Sequence, residues 1–131
     1  MKILVDTDVL IALTKSDDSN HDKALKLIGR FKRAEIFLSP FAIPEAVTVL
    51  SHKVSQESAV KFLRGIRTKQ ISQVPYSSEL QSKTEKLFLE QKNQRTSWAD
   101  CCNAAIMQSG ELDSLASFDR FYQKFKFKVL P

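Results

Sequence analysis

Residues 1–10 read MKILVDTDVL, and the reading of the fold turns on how this stretch ends. Ile3, Leu4 and Val5 form an unbroken apolar run, as expected of a strand buried on both faces. Asp6 and Asp8 cannot follow them into a dry core, because an unpaired buried carboxylate is costly unless it takes up a proton. The two acids are therefore either solvated turn residues or part of something that needs negative charge at a strand's end. Residues 2–6 are read as the strand, and Asp8 as the N-cap of a helix through VLIAL.

The same alternation continues along the chain. After the polar break SDDSNHD (16–22), where Ser19 or Asn20 can cap, Ala24, Leu25, Leu27, Ile28 and Phe31 recur at helical spacing. EIFLS (35–39) is a second short strand, and Pro40 and Pro44 mark a turn into a helix that buries Ala46, Val47, Val49 and Leu50. Residues 55–69 form another amphipathic helix through Val60, Phe62, Leu63 and Ile66. A strand then runs to Pro75, and a charged helix over 78–92 turns Leu80, Leu87, Phe88 and Leu89 inward. Thr96 or Ser97 caps the helix of TSWADCCNAAIMQSG (96–110) and Gly110 closes it. SLASFD (114–119) is a strand ending on Asp119, and FKFKVL (125–130) alternates like a last strand near an edge. Strands alternating with helices predict an α/β fold with a central, mostly parallel sheet covered on both faces. With no internal repeat or linker, residues 1–131 are read as one domain.

Composition bounds the function. The chain has 131 residues, 43% apolar and 27% charged, with three glycines and four prolines, which excludes collagen-like, linker-rich and disordered classes. No apolar run approaches the roughly 18 residues of a membrane helix, and the start lacks signal-peptide features, so no membrane association and a cytoplasmic location are expected. Adjacent Cys101 and Cys102 fit neither a zinc pattern nor a disulfide framework and are read as reduced thiols. Twenty Lys and Arg against fifteen Asp and Glu give a net charge of +5, which suits either a polyanionic partner or a plain lysine-rich surface.

Ligands of open parallel sheets bind beyond the carboxyl ends of the strands. Asp6 and Asp119 lie at two such ends, while Glu45 and Asp100 lie near helix starts in apolar surroundings. Each alone has a structural explanation: a cap, a strand end, or a first-turn charge on the helix dipole. Gathered together, four carboxylates repel, and a hard divalent cation such as Mg²⁺ or Mn²⁺ relieves that conflict.

ILVDTDVLIAL, IPEAVTVL, SWADCCNAAIM and LASFDRF occur in the order and approximate spacing of a PIN domain. The chain resembles that family over essentially its whole length, and most closely the small toxins of VapBC-type toxin–antitoxin pairs. The resemblance implies a three-layer α/β/α fold, with Asp6, Glu45, Asp100 and Asp119 as the family's four acids and Ser117 as its small hydroxyl position, an orienter of water or of a neighbouring carboxylate. Two departures stand out: Asp8 where Asn or Ser is usual, and Cys101 where a small residue such as Ala is usual. The implied activity is Mg²⁺- or Mn²⁺-dependent hydrolysis of RNA phosphodiester bonds, leaving 5′-phosphate and 3′-hydroxyl ends. The implied partners are RNA, a small antitoxin that blocks the acidic pocket with Arg or Lys, and a second copy in a homodimer.

Lys15, Arg30, Lys32, Arg33 and Arg95 are candidates for the phosphate backbone, and Trp98 either stacks on a base or packs beside its helix start. A metal-free mechanism with His21 and His52 leaves the acids unexplained. The principal rival is a non-catalytic RNA-binding or scaffold protein of the same fold.

Overall fold

The computed structural model describes residues 1–131. Five strands, β1 (Lys2–Val5), β2 (Glu35–Leu38), β3 (Ile71–Gln73), β4 (Ser114–Ala116) and β5 (Val129–Leu130), pair in the order β3-β2-β1-β4-β5. Every pairing is parallel. The chain steps outward from β1 to β3 and then returns to place β4 on the other flank of β1. The strand order therefore reverses between β1 and β4, which opens a crevice at their carboxyl ends.

Helices α1 (Thr7–Thr14), α2 (His21–Gly29), α3 (Ala42–Lys53) and α4 (Gln56–Ile66) cover one face; α5 (Ser78–Leu89) and α6 (Trp98–Gln108) cover the other. Strand side chains alternate between the faces. Ile3 and Val5 join Leu38, Ala116 and Leu130 under α1–α4, whereas Leu4 and Leu115 point to Cys101, Cys102, Ala105 and Tyr122. Because Leu4 is fully buried, Leu4→Ala is expected to cost about 3 kcal/mol and to lower the melting temperature by about 10 °C. A thermal melt checks this, and a shift near zero would mean that the α5–α6 face is not packed as described.

Helix ends follow local chemistry. Ser55, Ser77 and Ser97 occupy N-caps and accept from Ser58 N, Leu80 N and Asp100 N. Asn20 stands at the cap of α2 without using its side chain; instead Asp18 Oδ1 accepts from Asn20 N at 2.8 Å. Gly110 takes φ +78° just beyond α6, a left-handed closure that glycine adopts without strain.

The structure corrects several expectations. Asp6, not Asp8, is the N-cap of α1, because β1 ends at Val5 and the helix begins at once at Thr7. The strand expected to reach Asp119 stops at Ala116, and the last strand holds only Val129 and Leu130, since Phe125 and Phe127 pack on the α5–α6 side instead. The helices expected over 55–69 and 78–92 end at Ile66 and Leu89. Leu25, Val60, Leu63, Phe88 and Leu89 are exposed. Periodicity shows which side of a helix faces inward, but not how wide a seam its neighbours cover. No helix is long and apolar enough to cross a membrane.

Candidate metal centre

Parallel pairing of β1 with β4 brings Asp6 within reach of Ser117. Val5 lies opposite Ala116, and Asp6 N donates to Ala116 O at 3.0 Å, so the next residue on each strand, Asp6 and Ser117, emerges into the crevice together. Ser117 Oγ donates to Asp6 Oδ2 at 2.7 Å, lies 3.4 Å from Asp8 Oδ2, and accepts from Asp119 N at 3.0 Å. One hydroxyl thus touches the side chains of two acids and the backbone of a third.

Asp6 is the hub. Its Oδ1 accepts from Thr7 N at 2.8 Å and from Asn103 Nδ2 at 3.1 Å, and the residue is only 5% exposed. Asn103 follows Asp100 by three residues on α6 and therefore shares its face. Asn103 Nδ2 also donates to the Tyr122 hydroxyl at 3.0 Å, which in turn donates to Asp100 Oδ1 at 3.1 Å. On the other flank, Thr7 Oγ1 donates to Glu45 Oε2 at 3.3 Å. Asp119 accepts from Phe121 N at 2.9 Å, capping the short 3₁₀ turn Arg120–Lys124.

All four acids singled out in the sequence, together with Ser117, are joined through this network. Asp6 and Ser117 are buried, whereas Glu45 and Asp119 are exposed residues. Asp8, expected as a cap, is a fifth member: Phe118 N donates to its Oδ2 at 2.9 Å, and its Oδ1 is buried without a partner. Asn103, Tyr122 and Thr7 were not anticipated. The i, i+3 spacing of Asp100 and Asn103 was the one available signal; nothing local marks Tyr122.

The electrostatics are one-sided. The chain's two ion pairs, Lys15–Asp17 and Lys83–Glu79, both lie outside this group of acids. Burial, helped by the charges of Asp119 and Glu45, pushes Asp6 up to about 6 from an ordinary 3.8. Burial and the Asp6 charge push Asp8 up to about 7. Asp100 also rises to about 7, through burial and then the charges of Asp6 and Asp119. Glu45 is raised by burial of its carboxyl end. Burial and the nearby Asp6 and Asp100 raise Tyr122, so its hydroxyl stays protonated and available as a donor.

As placed, no three of the His, Cys, Asp and Glu side chains form a closed ligand cage. The donor set nonetheless fits a hard cation: it is all oxygen, no lysine or arginine neutralises it, and Asp8 Oδ1 is a buried acceptor with nothing to accept. Several cavities lie away from the acids. One of about 530 Å³, between β3, α5 and the end of α6, is lined by Phe37, Val74, Leu80, Ile106 and Leu112 among others.

Of the basic candidates, Lys15 closes α1 and pairs with Asp17, while Lys32 and Arg33 precede the start of β2, the end of the sheet away from the acids. Arg95 alone precedes the acid-bearing helix start, with φ 66°.

Tyr122 offers a direct check on the network. Tyr122→Phe removes the hydroxyl between Asn103 and Asp100 and keeps the ring in the core. Since that hydrogen bond lowers the Asp100 pKa, the variant is expected to titrate Asp100 at still higher pH and to lose about 1 kcal/mol of stability. Carboxyl-carbon NMR titration and a thermal melt read the two effects, and an unmoved Asp100 would contradict the geometry.

The sequence pattern of the PIN domain family matches residues 3–128. The chain belongs to the PIN domain family. No curated protein matches it significantly in sequence. This PIN domain is similar in structure to VapC20 of Mycobacterium tuberculosis, a sarcin-ricin loop cleaving toxin, with a TM-score of 0.85 and 19% identity over 95% of each chain. It is also similar to VapBC2 from Rickettsia felis bound to a DNA fragment from its promoter, with a TM-score of 0.70 and 15% identity over 99% of this chain and 98% of that one. VapBC-1 from nontypeable Haemophilus influenzae gives a TM-score of 0.61 and 11% identity over 99% and 97%. At these identities the likeness establishes the fold.

Proposed function

We propose that this PIN domain is a divalent-metal-dependent ribonuclease and the toxin of a toxin–antitoxin pair. The observation that carries the reading is the gathering of Asp6, Asp8, Glu45, Asp100 and Asp119 at the β1–β4 crevice without a basic side chain to offset them. Asp6, Glu45, Asp100 and Asp119 would hold Mg²⁺ or Mn²⁺. When bound, such an ion supplies Lewis acidity at a phosphate oxygen and lowers the pKa of the water it holds.

The chain's own groups prepare that place. Asn103 and Tyr122 tie Asp6 to Asp100 across two elements, which fixes their separation before any ligand arrives. Ser117 directs its proton at Asp6, while Asp119, whose Oδ1 is engaged by Phe121 N, keeps its second carboxylate oxygen for a ligand. Thr7 steadies Glu45 from the opposite flank. An antitoxin partner is supported by the VapBC complexes among the structural neighbours. The chemistry that would silence these acids is an Arg or Lys side chain from that partner.

The test incubates RNA with the protein in Mg²⁺ or Mn²⁺, with EDTA, and with Asp6→Asn. Cleavage that needs the metal and Asp6, with 5′-phosphate ends on the products, is the expected result. RNA binding without cleavage under every metal condition would sink the nuclease reading and favour the scaffold.

A further inference from the structure

Four aromatic side chains from four segments meet in a row that includes the starts of the helices bearing Glu45 and Asp100. Phe41 and Tyr76 pack edge to face with centroids 4.8 Å apart and planes at 77°. Trp98 Nε1 donates to Tyr76 Oη at 3.2 Å, and Phe88 lies 5.7 Å from Trp98 between centroids, tilted by 44°. The row is therefore continuous: Phe41, Tyr76, Trp98, Phe88. It also remains open to solvent, with Tyr76 40% and Phe88 39% exposed.

Its position is the informative part. Phe41 is the N-cap of α3, one helical turn before Glu45, and Trp98 is the first residue of α6, two before Asp100. Tyr76 follows the carboxyl end of β3 and Phe88 stands near the end of α5. Two members of the row thus lie on the helix starts that present two of the acids. The segment joining Phe88 to Trp98 carries exposed Lys92 and Arg95 against a single acid, Glu90, and so has a net positive charge.

We propose that this row is a stacking platform for unpaired RNA bases, which seats a single-stranded segment so that its backbone crosses the acid cluster. Every base has a π-face, so aromatic side chains accept it whatever its sequence, whereas bases paired within a duplex are already stacked and unavailable. The Trp98–Tyr76 hydrogen bond fixes two rings relative to each other before the strand binds, which lowers the ordering cost of binding. A protein segment is the competing occupant; the helix starts shared with Glu45 and Asp100 and the net positive charge of the 89–97 segment favour RNA.

For its substrate class the proposal rests on the ribonuclease reading, but its test does not use cleavage. Trp98 is the only tryptophan of the chain, so its fluorescence reports on the platform directly. The whole protein, in EDTA, is titrated with a single-stranded oligoribonucleotide, with the same sequence as a duplex, and with an abasic strand of equal length. Quenching by the single strand alone is expected. Tyr76→Ala and Phe88→Ala each loosen binding by about tenfold, while Tyr76→Phe, which keeps the ring, loosens it far less. Circular dichroism and melting of each variant separate lost stacking from lost folding.

Equal quenching by the abasic strand, or none by any RNA, overturns the platform. A fluorescence response to the cognate antitoxin but not to RNA overturns it in favour of a protein-docking surface. Single-strand quenching by a protein that never cleaves RNA in Mn²⁺ leaves the platform standing and defeats only the nuclease reading.

Discussion

Asp6→Asn is expected to lower RNA cleavage by on the order of 10³-fold, since removing a charge that holds the ion costs several kcal/mol of barrier. The same change is expected to make the metal-free protein more stable at pH 8. Asn keeps the acceptor that Thr7 N and Asn103 Nδ2 use on Asp6 Oδ1, and Asn is as good an N-cap as Asp. The new amide nitrogen faces Ser117, whose hydroxyl can rotate to accept from it and give its proton to Asp8 Oδ2, 3.4 Å away. What disappears is a buried charge among like charges. The expected gain is about 2 kcal/mol, or about 5 °C in melting temperature, and it shrinks at pH 5, where wild-type Asp6 is largely protonated. Parallel cleavage assays and melts at the two pH values read both effects. A variant both inactive and markedly less stable at pH 8 would show that Asp6 serves the fold, not a charged site.

The second large effect is on stability in the presence and absence of divalent cation. Asp6, Asp8 and Asp100 have folded-state values of about 6, 7 and 7, all above the ordinary 3.8 of an unfolded aspartate. Between those values the folded chain binds more protons than the unfolded one, so stability falls as pH rises through the window and the loss is complete above about 7. Asp6 alone accounts for about 3 kcal/mol. Protein held in EDTA is therefore expected to melt about 5–10 °C lower at pH 8 than at pH 5. Millimolar Mn²⁺ is expected to restore most of that loss at pH 8 and to do little at pH 5, where protons already occupy the carboxylates. The slope should flatten in Asp6→Asn. A metal-free melting temperature that climbs from pH 5 to pH 8 would mean that the acids are not crowded.

Several features were legible because they depend on near neighbours in the chain. A cap at Thr96 or Ser97 and a closure at Gly110 were expected; Ser97 takes the cap and Gly110 closes the helix, since both involve contacts within a few residues. The N-cap of α1 was misread by two residues. Asp6 and Asp8 are both chemically able to cap, and only the end of pairing after Val5 decides between them. Leu89, expected inward, is 77% exposed, because a helix's own spacing does not reveal how far its neighbours reach. The aromatic row was invisible for the same reason. Phe41, Tyr76, Phe88 and Trp98 share no spacing, and Trp98 alone left base stacking and packing both open.

By itself the sequence determined that strands and helices alternate and that acids stand where apolar runs end, because both are statements about residues a few positions apart. Only the tertiary structure decided that β4 returns to the flank of β1. That one pairing sets Ser117 against Asp6 across 111 residues of chain, and α6, covering the same two strands, carries Asn103 to Asp6 and Asp100 to Tyr122. Hydrophobic spacing specifies which face of an element is buried; it contains no term for which distant element will cover it, and the crowding of these carboxylates is a property of that choice.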